Sequence, residues 1–185
     1  MIFEEKQISL KDGRAAVLKS PSAEDAEKLL NYIKKACGET DFLARYPEEW
    51  DNTTVEQEEA WVNSLRTSPN AVAITCCVEN EIAGNCEIGF KSGIKTSHRA
   101  SIGMAILKDY WNLGIGSAMM TELIAAAEER GAEIIELEFV EGNDRAKRLY
   151  EKFGFKVVCE KPNAFKLKDG RYRSEFHMQK YLRRE

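Results

Sequence analysis

The sequence predicts an α/β chain of the α+β type: a central mixed, mostly antiparallel sheet of about seven strands with helices on both faces. Three observations point there. Apolar runs of strand length at 71–78, 82–90 and 99–107 follow one another across short turns, as in an antiparallel meander. Two stretches of helical period, 115–130 and 144–153, then alternate with apolar runs at 134–140 and 155–160, as crossover helices do. No internal repeat, linker or low-complexity run interrupts the 185 residues, so a single domain over 1–185 is expected.

Each element has a local reason. Ile8 to Leu18 alternates around Asp12-Gly13, a hairpin signal. Pro21-Ser22 with Asp25 opens a helix whose apolar stripe is Ala26, Leu29, Leu30, Ile33 and Cys37, and Gly38 is expected to end it. Thr53 and Thr54 with Glu56 and Gln57 form a capping box for a second helix through Leu65, broken by Ser68-Pro69-Asn70. In the helix 115–130 the period runs through Ile115, Met119, Leu123, Ala126 and Ala127 to Gly131 at the C-cap. A turn at Lys168-Asp169-Gly170 leads into a last strand near 173–181.

Composition excludes several classes. A net charge of −4 lacks the basic excess of a non-specific nucleic-acid binder. The N-terminus has no signal-peptide pattern, and the longest apolar run, Ala71 to Val78, is too short to cross a bilayer. Five cysteines without a C-x-x-C and two distant histidines predict neither a disulfide framework nor a metal site. A reducing, cytoplasmic setting is the expectation.

Residues 39–59 carry eight carboxylates against Arg45 alone, with Phe42, Tyr46 and Trp50 interleaved. Two readings fit: a solvated loop and helix face anchored by its aromatics, or a substrate-facing lid that draws in a cationic amine by its field.

The stretch 102–131 carries the chemistry. A strand, a loop and a helix opening at Gly114-Ile115-Gly116-Ser117 make an anion site, because the first helical N–H groups have no intrahelical partner and sit at the positive end of the dipole. Gly114 and Gly116 leave those donors uncovered. Neither the dinucleotide fingerprint nor the P-loop pattern is met: Met119 stands where the former needs glycine, and no Gly-Lys-Ser/Thr follows. Downstream, Asn143-x-x-Ala146-x-x-Leu149-Tyr150-x-x-x-Gly154-Phe155 completes a second pattern. Together these resemble the GNAT superfamily of acyl-CoA N-acyltransferases, whose pyrophosphate loop reads (Q/R)-x-x-G-x-(G/A) and whose downstream motif is matched here at every defined position. The loop departs once, with Trp111 in place of Arg or Gln.

The resemblance implies acetyl-CoA as cosubstrate, no metal, and a small-molecule or protein amine as acceptor. It places the cofactor on Gly114, Ile115, Gly116, Ser117 and Asn143, with pantetheine along the backbone of Ile106 and Leu107. It supports the lid reading of 39–59, since the family places substrate contacts between its first two helices. Read from the residues alone, Asn143 is also a helix N-cap and Tyr150 a core tyrosine on the stripe Ala146, Leu149, Phe153. Tyr110 and Trp111 serve equally as packing residues, and Arg145, Lys147 and Arg148 read as a solvated helix face, with contact from one of them to the cofactor's nucleotide phosphate as the alternative.

Acyl transfer to an amine expels a thiolate, so a phenol that stays protonated at neutral pH suits the departing sulfur. Tyr150 is the candidate general acid. Glu87, an acid inside the apolar strand 82–90, is the candidate base, with a solvent-facing position as its plain alternative. Glu138 and the acids of 39–59 stand behind it. No Cys, Ser or Lys is set up as a nucleophile, which favours direct attack in a ternary complex. A non-catalytic acyl-CoA-binding regulatory module is the alternative function, and a homodimer is the oligomer to weigh first.

Overall fold

In a computed structural model that describes residues 1–182, eight strands form one sheet. They are β1 (Lys6–Ser9), β2 (Ala15–Lys19), β3 (Ala71–Val78), β4 (Glu81–Phe90), β5 (Arg99–Ile106), β6 (Ile134–Val140), β7 (Lys156–Lys166) and β8 (Tyr172–Tyr181). The sheet order is β1-β2-β3-β4-β5-β6-β8-β7, and only β5 and β6 pair in parallel. Eight strands agree with the expected sheet of about seven, and both arms of the opening hairpin join it, β2 pairing with β3. The late strands also form a long hairpin, in which β8 lies between β6 and β7 and leaves β7 at the edge.

Helices α1 (Ala26–Glu39) and α2 (Val55–Thr67) cover one face, while α3 (Ile115–Glu129) and α4 (Asp144–Lys152) cover the other. The even positions of β3 and β4, such as Ile74 and Ile88, meet Met119 and Leu123 of α3, all of them without exposed surface. Leu29, Tyr32 and Val62 form the smaller core under α1 and α2. Each fully buried Leu, Ile or Met stabilises the fold by roughly 1.5–3 kcal/mol, so these two apolar faces hold the layers on the sheet.

The expected caps form where the partners are local. Thr54 Oγ1 accepts from the Gln57 N–H at 3.3 Å, and Gln57 Oε1 accepts from the Thr54 N–H at 3.0 Å, closing the capping box. Gly131 adopts φ 71° past the end of α3. Gly38 does not end α1, which runs on to Glu39. A Cβ there would sit 3.4 Å from Pro47 Cγ, an ordinary contact, so the packing leaves room for a side chain and the helical hydrogen bonds simply continue through the glycine.

β5 is held differently along its two edges. Its pairing with β6 covers only Arg99–Ser101 against Ile134–Glu136; beyond that, β5 stays with β4 and β6 with β8, and a wedge opens between them. On its other side, the buried Tyr32 hydroxyl of α1 accepts from the Asn85 N–H at 3.1 Å and donates to the Ala105 carbonyl at 2.7 Å. Asn85 and Ala105 face each other in the β4–β5 register, so one phenol bridges the two strands. Beside the bridge, a Cβ on Gly84 would lie 3.1 Å from the Ala105 carbonyl oxygen, and only glycine fits without a shift. Tyr32→Phe keeps the ring but leaves both backbone groups short of a partner. A thermal melt is expected to show a loss of about 1–3 kcal/mol, or several degrees in Tm; an unchanged Tm would show that the bridge carries no stability.

Candidate active site

A cleft of about 550 Å³ follows the wedge between β5 and β6 and ends under the loop after α1. Its residues come from elements far apart in the chain. Met104 to Ile106 supply one wall, the start of α3 and the length of α4 supply the mouth, and Glu138 to Val140 of β6 supply the other wall.

At the mouth, Gly114 adopts φ 102°, which turns the chain into α3. The first helical hydrogen bond is Ala118 N–H to the Gly114 carbonyl. The N–H groups of Ile115, Gly116 and Ser117 have no acceptor among the described residues. With the helix dipole behind them they form an anion cradle. Lys11, Arg145, Arg148 and Lys152 line the same end, and Lys152 Nζ donates to Ser117 Oγ at 3.2 Å. Gly116 is small for a further reason: its Cβ would meet Leu149 Cδ2 at 3.0 Å and Ile106 Cδ1 at 3.3 Å. The glycine lets α3 close on both α4 and β5.

The downstream motif explains itself in three dimensions. Asn143 Oδ1 accepts from the Ala146 N–H at 3.3 Å and caps α4. Tyr150 lies seven residues on, on the cleft side, 7% exposed. Gly154 at φ 84° then reverses the chain, so that the buried Phe155 returns beneath the Tyr150 ring at 6.2 Å between centroids, with Phe139 on another side at 6.5 Å. This aromatic seat holds the phenol. Its hydroxyl makes no hydrogen bond among the described residues, and burial pushes its pKa up to about 12, with the Arg145 charge acting the other way.

Trp111 shows what became of the missing Arg or Gln. Its indole Nε1 donates to the Ile106 carbonyl at 2.6 Å, and Arg145 of α4 lies over its ring. A guanidinium reaches this place from another helix, and burial lowers its pKa, helped by Arg148. Arg145 is half-buried against the loop rather than solvated, while Arg148 is exposed and borders the cleft as well, a difference that only the packing of α4 on the loop reveals. No sequence signal ties Arg145 to Trp111.

Of the residues singled out in the sequence, Ile106, Gly114, Ile115, Gly116, Ser117, Asn143 and Tyr150 line this one cleft. Leu107 lies one layer behind it, its N–H donated to the Ala83 carbonyl and its side chain in the α1–α2 core. Glu87 faces the same side of the sheet as Gly103, its register partner, and its Oε1 lies 3.9 Å from where a Gly103 Cβ would be. Gly103 lines the cleft, so the absent side chain leaves the carboxylate just beneath the floor. Burial raises the pKa of Glu87. Glu138 stands on the wall itself, its Oε1 3.0 Å from His177 Nδ1. The loop after α1 does cover the cleft, but it presents Thr40, Phe42, Leu43 and Ala44, none of them acidic.

A sheet parted between two parallel strands, with an anion cradle at one end of the opening and a phenol along it, belongs to the class of transferases that use acyl-CoA. Residues 38–155 match the acetyltransferase (GNAT) family, and the chain belongs to that family; it is an acetyl-CoA-dependent N-acetyltransferase with an amine as acceptor. It is 25% identical over 136 residues to the L-amino acid N-acetyltransferase AaaT of Escherichia coli, covering 71% of this chain and 83% of the relative. Its fold is similar to that of a GNAT-family acetyltransferase from Streptococcus pneumoniae, with a TM-score of 0.83 and 24% identity over 90% of this chain and 99% of that one. It is also similar in fold to yncA from Salmonella typhimurium, a structure with its cofactor acetyl-CoA, with a TM-score of 0.77 and 17% identity over 92% and 95% of the two chains. Among the described residues, no group of His, Cys, Asp or Glu is placed to hold a metal ion, and no helix is long and apolar enough to cross a membrane.

Proposed function

We propose that this chain, as one catalytic domain, moves the acetyl group to a primary amine by direct attack in a ternary complex, with Tyr150 as general acid and Glu87 as general base. The observation that carries this reading is the continuity of the cleft, from the unpaired amides of Ile115, Gly116 and Ser117 to the unpartnered Tyr150 hydroxyl. Three aimed N–H donors and four basic side chains fit a diphosphate, and the wedge beside Ile106 fits an extended arm. Asn143 contributes at the same mouth while capping α4.

Acetyl-CoA supplies a thioester, with an electrophilic carbonyl carbon and a sulfur that leaves as thiolate. The Tyr150 phenol stays protonated throughout the neutral range and donates a hydrogen bond to that sulfur as charge builds on it. A free thiol has a pKa near 8.5, so complete transfer from a phenol near 12 is uphill by roughly 4–5 kcal/mol, and the donated hydrogen bond rather than early proton loss is its main contribution. The acceptor ammonium sheds one proton before attack and a second as the C–N bond forms and the C–S bond breaks; the second ends on the departing sulfur, so the net reaction releases one proton. Glu87 takes the first through water across Gly103, because the carboxylate lies under the cleft floor rather than in it.

Thiol release from acetyl-CoA, followed against a panel of amines that includes amino acids, tests the reaction itself. In that assay Glu87→Gln is expected to lower kcat/KM by about 10²-fold. Its effect on stability has the opposite sign. A carboxyl whose folded pKa lies above the unfolded one costs stability when it ionises, and that penalty grows with pH until the raised value is passed. Glu87→Gln should therefore raise Tm at neutral pH while activity falls. Activity within twofold of wild type would remove Glu87 from the reaction and pass the base to Glu138, which already lines the cleft.

A further inference from the structure

The cleft is chemically polarised. Its mouth is basic, whereas its inner end is apolar: Phe42, Leu43 and Ala44 of the loop after α1 face Phe165 of β7, with Glu138 and Glu175 on the wall between. None of the acids that make 39–59 so negative lines the cleft itself, and four of them are held by local partners. Glu39 accepts from the Lys108 N–H at 2.7 Å, Glu48 pairs with Lys168, Glu49 accepts from the Tyr46 N–H at 2.7 Å, and Asp51 pairs with Lys34 at 3.4 Å. The loop is fastened over the inner end. Tyr46 accepts from the Lys168 N–H at 3.1 Å across to the β7–β8 turn, and the Phe42 ring reaches 3.7 Å from where a Cβ on Gly142 would stand. Behind it lies a second cavity of about 240 Å³, which shares Thr40, Leu43, Ala44 and Phe165 with the cleft and adds Asp41 and Glu49 beside Arg45 and Lys166.

We propose that the acceptor is a compact primary amine bearing an apolar side chain, its ammonium at Glu138 and Glu175 and its side chain against Leu43, Ala44 and Phe165. The proposal rests on the acetyltransferase reading above and names its substrate class. Glu138 and Glu175 line the wall on neighbouring strands, and each already shares its charge with a basic neighbour, His177 for Glu138 and Lys161 at 3.6 Å for Glu175, so together they suit one further ammonium rather than several. The strip facing them carries no charge, and the two carboxylates of the cavity behind it, Asp41 and Glu49, are matched in number by Arg45 and Lys166, which leaves no net charge there for a second cation. A polyamine would bring its further ammonium groups against an apolar surface and leave them desolvated and unpaired. An apolar side chain gains by burial there what water denies it.

The test compares 3-methylbutylamine, 2-phenylethylamine, spermidine and a short peptide with a free N-terminus as acceptors, by thiol release. Wild-type kcat/KM for the two apolar amines is expected to exceed that for spermidine by at least about tenfold. Leu43→Asp should remove most of that preference, and Phe165→Ala should weaken it, with the acetyl-CoA Kd measured by calorimetry unchanged in both. Spermidine as the better acceptor, a peptide preferred regardless of its first side chain, or a Leu43→Asp effect equal for all amines would each overturn the proposal. Acetyl-CoA bound but no amine acetylated would overturn it too while leaving the cofactor site standing. Absence of acetyl-CoA binding would instead sink the reading beneath it.

Discussion

Tyr150→Phe is expected to lower kcat by about 10²–10³-fold while leaving the acetyl-CoA Kd within a few-fold of wild type. The substitution removes one oxygen from a side chain that is 7% exposed and seated between Phe139 and Phe155, so the ring stays where it is. What disappears is the donor aimed into the cleft, which has no other bond to give up among the described residues. Leaving groups of lower thiol pKa need less help, so the deficit should shrink with more acidic thioesters. A structural role predicts the reverse pattern, with altered Tm and no dependence on the leaving group. A kcat within twofold of wild type would remove Tyr150 as the acid.

Gly116→Val is expected to weaken coenzyme A binding by about 10–10²-fold, the size of one lost hydrogen bond to a charged group. The cause is indirect. A Cβ at 116 points at Leu149 and Ile106 rather than at a bound phosphate, and valine carries two further methyl groups into that contact. Side-chain shifts of Leu149 and Ile106 take up part of this, and the rest pushes the first turn of α3, with the amides of Ile115, Gly116 and Ser117, away from α4 and β5. Gly116→Ala asks the same neighbours for only a few tenths of an ångström and should show a smaller loss at nearly wild-type Tm. Calorimetric titration with coenzyme A that shows no change for a folded Gly116→Val protein would refute the anion cradle.

Some of this molecule could be read residue by residue. The capping box at Thr54 and Gln57, the turn at Asp12-Gly13 and the stop at Gly131 are set by bonds between near neighbours, and each appears in the structure. The run from Asn143 to Phe155 was equally open to reading, because a cap, a helix face and a left-handed glycine all act within one helix. Gly38 shows the limit of such rules. Its helical neighbours carry α1 through it to Glu39.

The sequence by itself determined the family pattern, the strand and helix series, the naked amides at the start of α3 and the tyrosine on the cleft side of α4. Tertiary structure alone decided that Arg145 would lie over Trp111, that Tyr32 would bridge β4 and β5, and that the acidic loop would turn an apolar strip toward the cleft. The physical reason is range. Caps, turns and helix faces follow from backbone hydrogen bonds a few residues long, whereas the charge and polarity lining a cleft depend on which distant elements the core brings together, and on which side of each is left to face the opening.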